Sequence, residues 1–194
     1  AYNTGLGYGA LGNTNSGEGN SAIGGFAGSS ITTGSRNIAI GKTAYDWADT
    51  ENDNMAIGYN ALGGPISGGE YNIAIGNYSL DANTSGDYNV AVGYNSLTAN
   101  TAASYVTALG GNALKANTTG SGNTAVGTNA MESNTTGASN TVMGWNALVT
   151  NTTGSNNLAM GVNTMFHNTT GYKNVALGDY GLWSNTEGME NVAI

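Results

Sequence analysis

The stretch SNTTGASNTVMGWNALVTNTTGSNNLAMG, residues 133–161, contains the same short sequence twice. Residues 134–137 (NTTG) return as residues 151–154, and residues 140–144 (NTVMG) return as residues 157–161 (NLAMG), each 17 positions later. A fixed internal period is the signature of a solenoid or another repeat array. The first question is therefore how far the period extends.

The period extends over the whole chain. The glycine that closes the motif Asn-x-Ala-(Ile/Val/Leu/Met)-Gly lies at Gly7, Gly24, Gly41, Gly58, Gly76, Gly93, Gly110, Gly127, Gly144, Gly161 and Gly178. Every step is 17 residues except the step from Gly58 to Gly76, which is 18 and contains the only proline, Pro65. We therefore predict one repeat domain over residues 1–194, with less regular coils in 1–58, a one-residue insertion near 63–70 and regular coils in 71–194. We expect it to be a segment of a longer fibrous protein.

Each repeat is too short for a pair of solenoid helices, which needs 30 or more residues. When the motif asparagine is position 1, one apolar stretch covers positions 2–4, and a second covers positions 8 and 9. The first is rich in β-branched residues and ends at a glycine, as is typical of strands. These features predict an all-β parallel β-solenoid, or β-roll, of about eleven 17-residue coils with two short strands per coil.

Stacked coils place identical residues above one another, so the position 1 amides can form a hydrogen-bonded ladder along the axis. The predicted ladder comprises Asn37, Asn54, Asn72, Asn89, Asn123, Asn140, Asn157 and Asn174.

Side chains alternate between the two faces of a strand. Ile73 and Ile75 share one face and Ala74 lies on the other. We expect the isoleucine column to fill the coil and the alanine column to face a partner chain, as in strands buried on both sides. The alternative is that alanine is simply tolerated on an exposed face.

Composition excludes several classes of function. The net charge is -8, with only 4 basic residues, which disfavours binding to nucleic acid. No apolar run approaches the roughly 18 residues of a membrane span. The chain has no Cys and one histidine, His167, for which we expect an exposed turn position. No nucleophile elbow or phosphate-binding loop is present, so we predict a non-enzymatic protein without a cofactor.

Three sets of residues are candidate sites. Asp46, Asp49, Glu51 and Asp53 form the densest acidic cluster and are the calcium candidate, although they lack the glycine and final glutamate of an EF-hand. Two aromatic columns could contact glycans, and they comprise Tyr71, Tyr88 and Tyr105 at position 17 and Tyr59, Tyr94 and Trp145 at position 6. Five asparagines fit the N-glycosylation pattern, although turn formation explains them equally well: Asn83, Asn117, Asn134, Asn151 and Asn168.

The stacked motif Asn-x-Ala-Ile-Gly-x-x-Ala resembles the head repeats of trimeric autotransporter adhesins, which are left-handed parallel β-rolls. Gly-Tyr-Asn-Ala-Leu at 58–62 and the Asn-Thr-Thr-Gly turns also resemble repeats of bacteriophage tail-fibre proteins. The resemblance covers essentially the whole chain. It implies an extracellular homotrimer or filament, on a cell surface or virion, that attaches to a host-surface glycan or protein receptor.

Two further functions compete with this interpretation. One is a carbohydrate-binding or polysaccharide-cleaving domain of the tail-spike type, in which Asp46 and Asp49 would act. The other is an ice-binding solenoid, since threonines recur at a fixed interval. Ice-binding faces usually carry Thr-x-Thr on a strand, whereas these threonines lie in predicted turns.

Overall fold

The computed structural model describes residues 2–194, so Ala1 of the predicted domain lies outside the described residues. Twelve short strands form a single parallel sheet in chain order. The strands are Thr4–Leu6 (β1), Ser21–Ile23 (β2), Ile38–Ile40 (β3), Met55–Ile57 (β4), Ile73–Ile75 (β5), Val90–Val92 (β6), Thr107–Leu109 (β7), Thr124–Val126 (β8), Thr141–Met143 (β9), Leu158–Met160 (β10), Val175–Leu177 (β11) and Val192–Ala193 (β12).

Each strand pairs with the equivalent residues of the next coil. Ala39 lies opposite Ala56, Ala56 opposite Ala74, and the one-residue insertion between them does not shift the register. At the usual strand spacing of about 4.8 Å, twelve strands make a rod roughly 53 Å long. The predicted β-solenoid of about eleven coils is confirmed.

Each coil contains one strand, whereas the sequence predicted two. The second apolar stretch lies in turns because alternate residues there have left-handed backbone, such as Asn112 with φ 56° and Leu114 with φ 50°. A strand requires extended backbone at every residue. The turns still bond along the axis, and the Leu114 N–H donates to the Ala130 carbonyl at 3.0 Å.

The prediction of which strand face is inside is wrong. Ala74 is fully buried, while Ile73 is 36% exposed and Ile75 is only partly buried. The same pattern of one buried residue between two more exposed ones recurs in β2 to β11. Alanine therefore lines the interior, and the larger hydrophobic side chains point out of the coil.

Two asparagine ladders run through the interior. The first is the predicted one: in Asn140, the backbone N–H and the Nδ2 both donate to Asn123 Oδ1, at 2.9 and 3.1 Å, and Nδ2 also donates to the Gly154 carbonyl. Val106 interrupts this ladder. The second ladder lies in the Asn-Thr-Thr-Gly turns, where Asn134 Nδ2 donates to Asn117 Oδ1 at 2.7 Å.

The first coils have a different interior, which accounts for their irregular sequence. Before the second ladder begins at Asn83, that side of the coil holds buried Ile31, Ala48 and Ile66. Tyr45 is fully buried and stands where later coils carry leucine. Its hydroxyl accepts a hydrogen bond of 2.7 Å from Asn54 Nδ2, so this polar group is satisfied inside the coil.

The glycine that follows each strand makes a corner that no other residue can form. Gly127 has φ 134°, and a Cβ there would overlap the carbonyl group of Gly144 on the next coil. Both the backbone angle and the close approach require glycine. This explains why the motif glycine recurs without exception.

Candidate functional site

A regular exposed feature of the surface is a stack of three tyrosines, which lie in the turns before β5, β6 and β7. Tyr71, Tyr88 and Tyr105 all have left-handed backbone, with φ between 56° and 60°. The rings of Tyr71 and Tyr88 lie 4.8 Å apart at 7°, and those of Tyr88 and Tyr105 lie 5.4 Å apart at 3°. The structure thus brings this predicted column together as one parallel stack.

The two ends of the stack differ. Below Tyr71, the preceding coil carries Asp53, which forms a bidentate ion pair with Arg36 through two contacts of 2.6 Å. Above Tyr105, the next coil carries Gly122 at the same position. Exposure rises from 45% at Tyr71 and 49% at Tyr88 to 68% at Tyr105. One face of the Tyr105 ring is therefore open.

Polar groups run beside the stack, one residue earlier in each coil. The Glu70 N–H donates to Asp87 Oδ1 at 2.9 Å, and the Asp87 N–H donates to Ser104 Oγ at 3.0 Å. The Ser104 N–H donates to Ser121 Oγ at 3.2 Å. Desolvation and the neighbouring tyrosines raise the pKa of Tyr88, so its hydroxyl is neutral at pH 7. The surface beside the rings changes from carboxylate at Glu70 to hydroxyl at Ser121.

The second predicted aromatic column does not form a stack. Tyr59 and Tyr94 each contact Tyr78 edge-on, with ring centroids 5.3 and 6.3 Å apart. Trp145 lies three coils beyond Tyr94 and is 52% exposed. These three residues remain a glycan-contact prediction, but only Tyr59 and Tyr94 belong to one cluster.

Sequence reasoning missed a third aromatic cluster near the C-terminal end. Phe166 and Trp183 are stacked with centroids 4.6 Å apart, and His167 packs edge-on against Trp183 at 5.0 Å. Phe166 and Trp183 lie 17 residues apart, so the repeat period alone could have identified this contact. His167 is exposed, as its predicted turn position implies.

Three of the four calcium candidates have separate partners. The Glu51 carboxylate accepts hydrogen bonds from the backbone N–H groups of Asp49, Thr50 and Gly68, at 3.0 to 3.1 Å. Asp49 accepts a hydrogen bond from the Thr32 hydroxyl, and Asp53 pairs with Arg36. Within residues 2–194, no group of three or more acidic, histidine or cysteine side chains could hold a metal ion.

Asp46 is the acidic residue with the largest pKa shift. Desolvation, together with repulsion from Asp81, raises the pKa of Asp46 to about 6. Its Oδ1 is buried without a hydrogen-bond partner among the described residues. Asp81 accepts a hydrogen bond of 2.5 Å from Asn60 Nδ2. The raised pKa of Asp46 thus reflects mainly its burial, while Asp49 accepts a hydrogen bond from Thr32.

The five glycosylation candidates are fully buried. Their amide nitrogens donate inside the coil, as in Asn151, whose Nδ2 donates to Asn134 Oδ1 at 2.8 Å and to the Gly154 carbonyl at 2.9 Å. A glycan on such a nitrogen would have to replace those bonds in the narrow interior. Asn83, Asn117, Asn134, Asn151 and Asn168 therefore act as ladder residues in the folded chain, and the structure argues against their modification.

The threonines of the same turns also bond within the protein. Thr118 Oγ1 donates to the Thr135 carbonyl, and Thr135 Oγ1 donates to the Thr152 carbonyl, both at 3.0 Å. These hydroxyl hydrogens are thus directed along the axis and not toward solvent. This geometry gives no support to an ice-binding face at this column.

An open groove of about 410 Å³ lies on the side of the rod. Its lining includes an exposed ion pair between Lys115 and Glu132 at 3.5 Å, together with Thr98, Ala99, Ala116 and Ser133. A shallow groove with one screened ion pair offers little specific recognition.

Comparisons with protein-family models, with curated proteins and with solved structures gave no match. Among residues 2–194, no helix is long and apolar enough to cross a membrane.

Proposed function

We propose that this protein is a non-enzymatic, extracellular structural or adhesive fibre element that assembles with copies of itself, as a homotrimer or a filament. The observation that carries the proposal is the outward face of the sheet. Position 4 is apolar on twelve successive coils, comprising Leu6, Ile23, Ile40, Ile57, Ile75, Val92, Leu109, Val126, Met143, Met160, Leu177 and Ile194.

This face is long, and it carries no charge. None of the 4 basic and 12 acidic residues lies in a strand. Twelve strands spaced about 4.8 Å apart and three residues wide give an outer sheet face of roughly 500 Å². The position 4 side chains form an apolar strip along this face, beside a position 2 column that is serine or threonine on five coils: Thr4, Ser21, Thr107, Thr124 and Thr141. Contiguous exposed apolar patches mark interaction surfaces. A covering partner is expected.

A second copy of the chain fits this strip best. The strip repeats once per coil along the whole rod, and a partner of equal period matches it on every coil. The net charge of -8 per chain opposes association, but its charges lie in the turns, away from the apolar strip. The resemblance to trimeric adhesin heads and tail fibres supports three copies and an attachment role. The continuous ladders support a rigid rod that displays its turns.

The proposal is tested by placing a charge on the strip. Ile75→Asp should convert the assembly to single chains of 19.5 kDa, measured by light scattering, because the new carboxylate would be desolvated in the interface. The circular dichroism of the variant should be unchanged, because Ile75 is only partly buried within one chain.

Two variants serve as controls. Asn156→Asp adds the same charge at an exposed turn position where another coil carries Asp53, and it should leave the assembly intact. Ala74→Asp places the charge inside the coil and should unfold the chain. A wild-type mass of one chain at micromolar concentration would contradict the proposal.

A carbohydrate-binding role has its own supporting observation, the open ring face at the end of the tyrosine stack. It is compatible with a fibre, since attachment requires a receptor contact.

A further inference from the structure

The tyrosine stack ends at Tyr105, and the next coil leaves a gap beside this ring. Position 17 carries Tyr71, Tyr88 and Tyr105 on consecutive coils, then Gly122, then Ser139. A Cβ added to Gly122 would meet only Ser139, at 3.7 Å or more. Gly122 thus leaves a gap between the Tyr105 ring and Ser139.

The gap has room for one ring. Tyr105 and Ser139 are two coils apart, about 9.6 Å along the axis at the usual strand spacing. The rings below are spaced at 4.8 and 5.4 Å, so one further ring on the Gly122 coil continues the stack and a second does not fit. Tyr105 is already flat and parallel to its neighbour, and it needs no rearrangement to receive a ring.

The gap has an apolar surface on the Tyr105 side and polar groups around it. The open Tyr105 face is an apolar surface, while the hydroxyl groups of Ser121 and Ser139 belong to the Gly122 coil and the coil above it. A pyranose ring has the same division, with a face of C–H groups and hydroxyl groups around its edge. The carboxylates Glu70 and Asp87 and the net charge of -8 disfavour an anionic sugar.

We infer that the gap over Gly122 is a binding site for a single neutral pyranose ring, stacked on Tyr105 and held at its edge by serine hydroxyls. This inference deepens the proposed attachment function and rests on it for its biological purpose. It also explains why the glycan contact predicted for Tyr71 and Tyr88 is restricted. Tyr88 is covered on both faces by Tyr71 and Tyr105, and Tyr71 is covered on one face by Tyr88.

The test uses saturation-transfer NMR with the wild-type protein and the methyl pyranosides of glucose, galactose, mannose and N-acetylglucosamine. At least one should bind in the millimolar range, as expected for a one-ring contact. Tyr105→Ala should weaken that binding by about tenfold or more, because the stacking surface is lost.

The most specific variant is Gly122→Tyr. Tyrosine already occupies this position on the three preceding coils at φ 56° to 60°, and Gly122 has φ 69°, so the variant should fold and extend the stack. It should abolish pyranoside binding by filling the gap. Tyr8→Ala removes an exposed aromatic that belongs to neither predicted glycan-contact column, and this variant should bind as wild type.

Three outcomes would overturn the inference: no pyranoside binds, binding persists in Gly122→Tyr, or N-acetyl-tryptophanamide binds at Tyr105 when no sugar does. Failure here is separate from failure of the fibre proposal. If Ile75→Asp dissociates the assembly but no sugar binds, the fibre proposal survives alone. If sugar binds to a wild-type protein that is a single chain, the site survives alone.

Discussion

Completing the first asparagine ladder should stabilise the protein. Val106 occupies the position that carries asparagine on the neighbouring coils. On the regular coils the N–H of this position donates to the asparagine Oδ1 of the coil before, as Val106 itself donates to Asn89 at 3.0 Å. Val106 offers no such oxygen to the next coil. In the described part of the chain, the buried Asn123 N–H therefore has no acceptor.

Val106→Asn supplies the missing oxygen. Satisfying a buried N–H recovers about 1–3 kcal/mol, and new bonds from Nδ2 to Asn89 Oδ1 and the Gly120 carbonyl contribute about 1 kcal/mol each. Losing the buried valine side chain costs about 1.5–3 kcal/mol. The net expectation is a gain of about 1–2 kcal/mol. For a chain of this length, that corresponds to an increase in Tm of roughly 2–8 °C.

Thermal unfolding followed by circular dichroism, at fixed protein concentration, measures the expected increase in Tm. Hydrogen exchange of the Asn123 amide measures the bond itself, and exchange should be slower in Val106→Asn. Val106→Ala is the control: it removes apolar contacts without supplying an acceptor and should cost about 2 kcal/mol. A Val106→Asn protein that melts at or below the wild-type temperature, with unchanged amide exchange, would refute the reasoning.

Three further experiments test separate parts of the structure. Gly127→Ala should cost more than about 3 kcal/mol in unfolding experiments because its Cβ overlaps the next coil at φ 134°, whereas Gly111→Ala should cost much less, since a Cβ at Gly111 meets no atom within 4 Å. A similar cost for both would contradict the corner argument. Asn134→Ala should lower the free energy of unfolding by about 3–5 kcal/mol by leaving ladder partners unpaired; a loss below 1 kcal/mol in urea titrations would show that the second ladder is dispensable. Asp46 has a raised pKa of about 6, so the stability it contributes is present below its unfolded pKa near 3.9 and is lost as the pH rises through about 6. Asp46→Asn should therefore raise Tm at about pH 8 and change it little at about pH 4, and an equal shift at both would count against this assignment.

The repeat register was predictable because it depends only on matching residues at a fixed interval. That register correctly located every strand, the corner glycines and the position 1 ladder, from Asn37 to Asn174. The tyrosine stack followed from the same rule, since residues at equal positions on consecutive coils must lie close together.

The alternation of side chains along the strand does not by itself show which face points into the coil. Ile73, Ala74 and Ile75 are all apolar, so the pattern separates two faces without naming the inner one. The second ladder was missed for a related reason. Asn-Thr-Thr-Gly is a good turn sequence, and nothing in it indicates that Asn134 points inward. In both cases the width of the coil determines which side chains point inward. That width depends on where the chain turns.

The narrow coil links the interior to the proposed assembly. Two columns of the interior are occupied by asparagines and a third by leucine or methionine, such as Leu114 and Met131, which leaves room only for small side chains at position 3, alanine on most coils and Val142 on one. The isoleucines and valines at positions 2 and 4 therefore point outward. A wider coil could enclose them and would leave a polar outer face, as in sheets with one solvated side. An uncharged apolar strip is thus a consequence of building a β-solenoid from only 17 residues per coil, and association is the way to cover it.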